Sequence, residues 1–264
     1  MKQFIAKIIS HNPVSDCFHE LTFGWDPRAG APLPGQFCTI RVSPFSTPLL
    51  RRPFAFSSYD PEHGLATVLY KKRGPATELL TAMSSGDGLD VIGPLGTDFF
   101  TASDGKLASA LCVAGGTGFG PMLFLFSELA KRGGKPVLVL GCRTGSQLPA
   151  LNPMTGLDPF ITTDDGTRGK KGTPLEYLTA LQNENSGISA LCACGPVPLM
   201  QGCHDWSQKH GLACYVSFEQ TMACGVGACM GCAVKVTDAG GSGFARACTD
   251  GPVFNSRRIA WTSA

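Results

Sequence analysis

The chain reads as a β-barrel plus α/β protein: a closed antiparallel barrel, then a parallel sheet with crossover helices, then a small cysteine-rich tail. Three observations predict this. Short β-type runs separated by turn residues fill the first hundred positions, strands alternate with helical segments from about 107 to 218, and the tail is dense in cysteine and glycine. In the first stretch the runs fall at 4–9, 20–25, 36–43, 53–59, 66–72 and 89–92. One helix interrupts them, beginning near Thr77 and ended by Gly86 and Gly88. In the second stretch strands at 110–114, 136–140, 159–162, 190–194 and 214–218 alternate with helices at 121–132, 174–182 and 198–210. The tail, from about 219, holds too few apolar residues for an independent core.

Composition narrows the function classes. With 264 residues and 43% hydrophobic residues the chain can bury a real core, and two modest domains fit. The net charge is +2 and the longest basic run is Lys71-Lys72-Arg73, so the footprint of a nucleic-acid binder is missing. Residues 107–127 carry no charge and are long enough to cross a bilayer, but Gly115-Gly116-Thr117-Gly118-Phe119-Gly120-Pro121 would break such a helix. Strand, loop and helix are predicted there, with no membrane span. The first ten residues alternate apolar and polar and include Lys2 and Lys7, unlike an export signal. A cytoplasmic protein is expected, in which the 12 cysteines are reduced thiols or metal ligands.

The strongest local signal is Cys224-Gly225-Val226-Gly227-Ala228-Cys229-Met230-Gly231-Cys232, followed by Cys248. C-x4-C-x2-C with a downstream cysteine is the plant-type spacing for a [2Fe–2S] cluster. Four thiolates make such a cluster anionic, and Gly225, Gly227, Ala228 and Gly231 would let backbone N–H groups approach its sulfurs without side-chain bulk. A structural zinc site on the same cysteines is the alternative, although only Cys229 and Cys232 form a zinc-type knuckle. The remaining cysteines sit mostly in apolar contexts and read as small buried hydrophobes. The five histidines are scattered and form no ligand pattern.

Three further segments suggest phosphate and ring binding. Arg51-Arg52-Pro53-Phe54-Ala55-Phe56-Ser57-Ser58 sets a guanidinium beside a strand, where Arg52 can grip a pyrophosphate and Phe54 can pack on a flat ring. Gly74-Pro75-Ala76-Thr77 opens the barrel's helix, whose free N–H groups could hold a second part of the phosphate; Thr77 could equally be an ordinary N-cap. Gly115 to Gly120 is not G-x-G-x-x-G, yet it is a glycine loop between a buried strand and a helix. It suits close approach of a nicotinamide ribose or pyrophosphate, or is simply a tight turn.

Taken together, Pro34-Gly35-Gln36-Phe37, Arg52-Pro53-Phe54-Ala55, Gly116-Thr117-Gly118 with Pro121, and Cys194-Gly195-Pro196 resemble the ferredoxin-reductase family of flavoproteins over about the first 215 residues. Adding Phe218-Glu219, Met222-Ala223-Cys224-Gly225 and Cys248-Thr249-Asp250-Gly251-Pro252-Val253-Phe254, the whole chain resembles the electron-transfer subunits of bacterial dihydroorotate dehydrogenases. The resemblance implies an FAD-binding barrel over 1–100, a nicotinamide-binding α/β domain over 101–215 and a [2Fe–2S] segment over 216–264. It implies FAD held by Arg52, Pro53, Phe54, Ala55, Leu69, Tyr70, Lys71, Gly74, Ala76 and Thr77. Ala55 stands where the family commonly has Ser, so a main-chain N–H or Ser57 is expected to substitute. NAD(H) would meet Gly115, Gly116, Thr117 and Gly118, with Cys194 as the catalytic-site cysteine near the nicotinamide ring. Asp164 and Asp165 form a second loop at a strand's C-terminal end, where ligands of open α/β sheets bind, and Arg143 could meet the adenosine half. NADH over NADPH rests on the resemblance.

The implied function is electron transfer between NAD(H), FAD, a [2Fe–2S] cluster and the FMN-containing dihydroorotate dehydrogenase catalytic subunit, in pyrimidine (UMP) biosynthesis and as a heterotetramer. A hydride carries two electrons and an iron–sulfur cluster passes one, so a flavin is needed between them. The three segments use up the sequence, whereas a dihydroorotate-oxidising barrel would need roughly 250 residues more. The substrate site is therefore expected on another polypeptide. Within the same class, a ferredoxin-, sulfide- or hydrogenase-linked reductase subunit is the alternative; outside it, a zinc-stabilised binding module on a reused reductase fold.

Overall fold

In the computed structural model, which describes residues 1–43, 45, 47–150, 158–185, 187–238 and 241–261, six strands close an antiparallel barrel. They are β1 (Lys2–Pro13), β2 (Phe18–Gly24), β3 (Phe37–Arg41), β4 (Arg52–Asp60), β5 (Leu65–Lys71) and β6 (Gly88–Leu95), hydrogen-bonded in the order β1-β2-β5-β4-β3-β6. β1 outruns the predicted 4–9 because it serves two partners. Lys2 to Lys7 pair with β6, Ile8 to Pro13 pair with β2, and a register shift between Ile8 and Ser10 bends the strand from one to the other. Ala6 and Ile8 point inward while Ile5 and Ile9 stay exposed, the period-2 pattern of a strand with one buried face. Phe23, Trp25, Ile40, Phe56, Val68, Leu89 and Val91 fill the interior.

Helix α1 (Pro75–Thr81) starts two residues before Thr77, with Gly74 at its N-cap and proline in its first turn. Thr77 is therefore not the N-cap. Its Oγ1 accepts from the N–H groups of Arg73 (2.8 Å) and Gly74 (3.1 Å) and donates to the Gly74 carbonyl, closing the turn from inside. After β6 comes a helix too short to be read from sequence, α2 (Phe99–Ala102), whose Asp98 cap accepts from the N–H groups of Phe100 and Thr101.

The α/β half runs β7 (Ala110–Gly115), α3 (Phe119–Lys131), β8 (Val137–Cys142), β9 (Phe160–Thr163), β10 (Lys170–Lys171), α4 (Leu178–Glu184), β11 (Ala190–Cys194), α5 (Val197–Lys209) and β12 (Ala213–Ser217). The tail adds a hairpin, β13 (Ala233–Asp238) and β14 (Gly241–Arg246), and a last strand, β15 (Val253–Asn255). β15 joins the large sheet, in the order β10-β9-β8-β7-β11-β12-β15, and it alone runs antiparallel there. The order reverses between β7 and β11, so the C-terminal ends of these two strands flank the crevice where open α/β sheets take their ligands.

Helix α3 joins the two halves. Phe124 enters the barrel core, while Met122, Leu125 and Leu129 pack under the sheet. Gly120 faces the barrel wall, where a Cβ would make ordinary contact 3.4 Å from that of Ser57 and 3.6 Å from that of Leu69. The tail lacks a core of its own and borrows one. Val234, Val236, Ala245 and Ile259 share a cluster with Val113 and Val216 of the sheet and with Phe37 and Leu95 of the barrel. Phe254 is 1% exposed in that cluster, and burial of such a side chain stabilises the arrangement by about 2–3 kcal/mol.

Candidate functional site

Where barrel, sheet and tail meet, they enclose a cleft of about 270 Å³. Its barrel wall is β4 and β5, which present Arg52, Pro53, Phe54 and Ala55 beside Leu69, Tyr70 and Lys71. Thr77 closes one side, and Thr117 and Cys194 come from the sheet. Phe54 meets Tyr70 edge-on, with ring centroids 5.5 Å apart at 70°, so both aromatic side chains are fixed before any ligand arrives. Behind Tyr70 stands His11. Its Nδ1 lies 2.9 Å from the Met83 carbonyl and must donate, which leaves Nε2 to accept from the Tyr70 hydroxyl at 2.7 Å.

The rim is cationic. Arg52, Lys71 and Arg73 all line the cleft, a charge arrangement suited to a pyrophosphate. Arg52 donates from Nη1 to the Leu50 carbonyl at 2.6 Å, which holds its guanidinium at the edge of the strand. The Lys71 ammonium sits 4.9 Å from the centre of the Phe18 ring.

Several predicted residues lie outside the lining. Gly74 and Ala76 serve the start of α1, and the half-buried Ser57 sits in a register shift of β4 between Phe56 and the exposed Ser58. Ser57, expected to replace the missing hydroxyl at Ala55, packs towards Gly120, and its Oγ is buried without a partner. Gly115, Gly116 and Gly118 also stand behind the wall. A Cβ on Gly118 would collide with the Cys194 carbonyl, and one on Gly115 would lie 2.8 Å from Leu199, so Gly118 lets the loop after β7 close on the end of β11 and Gly115 lets α5 approach β7. Thr117 is the member of the loop that faces the cleft. Asp164 and Asp165 follow β9, three places from β11 in the sheet, where the Asp165 carboxylate accepts from the N–H and hydroxyl of Thr167. Those two bonds, the hydroxyl's first, hold its pKa below the ordinary carboxylate range.

Cys194 ends β11 at the crevice and is 1% exposed. Burial, then the nearby Glu219 carboxylate, pushes its thiol far up, so it faces the cleft as a neutral, protonated group. The lining residues that the sequence reading gave no role are Gly35, Phe37, Arg73, Pro121, Ser217, Phe218, Glu219, Gln220, Met222 and Pro252. Gly35, Phe37, Pro121, Phe218, Glu219, Met222 and Pro252 stood within quoted motifs, whereas nothing singled out Ser217 or Gln220. Gly35 has φ +102°, and a Cβ there would lie 2.5 Å from Val253, so the Pro34-Gly35 turn must remain bare for the tail to dock.

The four tail cysteines interact pairwise, Cys224 with Cys229 and Cys248, and Cys248 with Cys232. Backbone N–H groups point at their sulfurs: Gly227 to Cys248 at 3.2 Å, Gly231 to Cys229 at 3.4 Å and Val226 to Cys224 at 3.5 Å. Led by the Val226 bond, such donors bring the Cys224 thiol down to about 6. Burial and the neighbouring Cys232 take Cys248 up to about 11, so it ionises at neutral pH only when a cation compensates. Gly225 and Gly227 have φ of +72° and +84°, and a Cβ on either would press on Thr39 or Thr249. A thiol set fringed by inward N–H donors fits an anionic iron–sulfur cluster.

Residues 219–260 match the family model for the iron-sulfur cluster binding domain of dihydroorotate dehydrogenase B. A dihydroorotate dehydrogenase B (NAD(+)) electron transfer subunit from Bacillus pumilus (strain SAFR-032) is 34% identical over 98% of this chain and 99% of its own length. The protein of the same name from Caldanaerobacter subterraneus subsp. tengcongensis is 34% identical over 96% of this chain and 97% of its own. Among solved structures, an NADH-dependent reduced ferredoxin-NADP oxidoreductase superposes with a TM-score of 0.80 at 26% identity, covering 97% of this chain and 90% of that one. Phthalate dioxygenase reductase shares the fold, with a TM-score of 0.60 at 16% identity, covering 89% and 87%. The barrel, the sheet and the cysteine loop thus recur in one set of relatives along nearly the full length, and the chain belongs to the family of dihydroorotate dehydrogenase B electron transfer subunits.

Proposed function

We propose that this chain carries electrons between NAD(H) and a separate, FMN-containing dihydroorotate dehydrogenase catalytic subunit, by way of bound FAD and a [2Fe–2S] cluster. The observation that carries the reading is Phe37. Its side chain lines the cleft, and its ring lies 3.9 Å from where a Cβ on Gly225 would stand, so one residue separates the cleft from the cysteine loop. Met222 and Pro252, also on the cleft wall, stand two residues before Cys224 and four after Cys248.

FAD, when bound, exchanges a hydride with the nicotinamide and passes single electrons onward. The chain's own groups supply position and charge. Arg52, Lys71 and Arg73 hold the pyrophosphate, Phe54 and Tyr70 pack the ring system, and Thr117 with Cys194 forms the nicotinamide side at the sheet's crevice. Gly115 and Gly118 shape that crevice by letting its walls meet, Gly116 supplies the positive φ of the turn between them, and Asp164, Asp165 and Arg143 face the adenosine half. Cys224, Cys229, Cys232 and Cys248 ligate the iron. The protonated Cys194 puts no negative charge beside the incoming nicotinamide.

Sequence boundaries of 1–100, 101–215 and 216–264 divide the chain by cofactor, although the tail's last three positions lie outside the described residues. All 12 cysteines are free thiols, which supports a place in the cytoplasm, and no described helix is long and apolar enough to cross a membrane. The partner assembly is a heterotetramer. Anaerobic purification followed by flavin, iron and sulfide analysis tests the reading: a yellow-brown protein that NADH bleaches is expected. Zinc without flavin would refute the electron-transfer role, and co-purification with a hydrogenase rather than an FMN-binding barrel protein would refute the partner.

A further inference from the structure

We infer that Arg246 is a positioning residue that sets the reduction potential of the cluster by aiming the backbone N–H groups of the cysteine loop at the ligand sulfurs. The inference rests on the reading that Cys224, Cys229, Cys232 and Cys248 hold a [2Fe–2S] cluster.

Arg246 ends β14 just outside the loop, and its Nη1 donates to the Gly227 carbonyl at 3.1 Å. A trans peptide points its C=O and N–H in opposite directions. Drawing the Gly227 carbonyl outward therefore turns the Ala228 N–H inward, towards Cys224, whose thiolate it favours. The same grip fixes Gly227, whose own N–H donates to Cys248 at 3.2 Å. One guanidinium thus orients two donors towards two ligands.

Asp250 holds the guanidinium in place. Its Oδ2 accepts from Arg246 Nε at 3.2 Å and from the Arg246 backbone N–H at 2.8 Å, and its Oδ1 accepts from Nη2 at 3.2 Å. The pair is too exposed, at 37% and 38%, to contribute much stability, so its geometric grip on the loop is what matters. Hydrogen bonds to cluster sulfurs favour the reduced, more negative state and raise the potential.

The test separates aiming from simple charge. As a bare positive charge, Arg246 could be replaced by Lys with no loss, and Asp250→Asn, which removes a negative charge near the cluster, would raise the potential. As an aiming device, Arg246 needs its fork and its anchor, so Arg246→Lys and Asp250→Asn should both lower it. Asn at 250 still accepts from the backbone N–H and keeps the turn. EPR-monitored titration of the full chain should show the ratio of reduced to oxidised cluster at a fixed solution potential falling three- to tenfold in both variants, about 30–60 mV for one electron. Iron and sulfide contents should match wild type, and the iron–thiolate stretches should lose part of their deuterium shift. A raised or unchanged potential in Asp250→Asn, or a wild-type potential in Arg246→Lys, overturns the inference. Should Arg246→Lys fail to load iron, the sign in Asp250→Asn still decides. Wild-type protein without iron would instead overturn the underlying reading.

Discussion

The cleft and the cysteine loop are neighbours built on opposite principles. The cleft is made of side chains on barrel strands: Phe54 and Tyr70 are 6% and 4% exposed, and the Tyr70 hydroxyl is fixed by His11. The loop is made of backbone, with glycines at positive φ, few side chains, and exposed apolar residues in Val226 and Met230. The barrel can therefore hold the shape of its site through packing alone, whereas the loop depends on its metal to tie it. Each site should answer to a different kind of damage.

Cys229→Ser should have the largest effect. Loss of one ligand should strip most of the iron and sulfide and end delivery to the partner, while FAD and NADH-to-dye activity persist. Loss of FAD in this variant would show that the two sites are not independent. Gly118→Ala should come next, because its new Cβ would meet the Cys194 backbone, which cannot move aside. A loss of about 2–4 kcal/mol in denaturant unfolding is expected, and an unchanged midpoint would mean that the β7–β11 junction is looser than the contacts imply. Arg52→Ala should weaken FAD retention about tenfold, or about 1.4 kcal/mol, by removing one of three cations at the rim. Equal flavin content after dilution and filtration would contradict that assignment.

The smallest effect concerns acid. His19 stacks on Tyr70, with ring centroids 5.6 Å apart, and its Nδ1 is buried without a partner. Burial, then His11 and Lys72, lowers its basicity below the ordinary 6.5. The unfolded chain then binds the proton more readily, so this contribution to stability is complete above about 6.5 and is lost as pH falls towards the folded-state value. His204 shifts the same way, chiefly through burial. Melting temperature should drop modestly from pH 7.5 to 5.5, and less in His19→Gln; identical drops would remove His19 from the account.

The same contrast explains what could be read from the sequence. Strand and helix periods announced both halves because the alternation of Ala6 and Ile8 with exposed Ile5 and Ile9 is a local property of the chain. The cysteine ligands were legible because spacing alone carries their chemistry. Hidden from that reading were contacts made only by folding. Met222, Glu219 and Pro252 reach the cleft from the tail, and their motifs gave the resemblance but not that contact. The β13–β14 hairpin escaped because Gly241-Ser242-Gly243 has little strand propensity, and it forms against a borrowed core. β15 escaped because three residues in an antiparallel edge strand give no period. Thr77 shows a subtler limit: the right residue at the helix start was seen, but its position within the first turn was not.

β12 and β15 lie side by side, and the Phe218 N–H donates to the Pro252 carbonyl at 2.9 Å. The iron-binding stretch is thereby stapled at its base, leaving and rejoining the body of the molecule at one spot like the handle of a cup. Such an attachment allows the stretch to be exchanged as a cassette without re-threading the rest of the chain. It also removes the slack of a tethered carrier, so the span an electron crosses is set by ladder hydrogen bonds and stays constant from one turnover to the next.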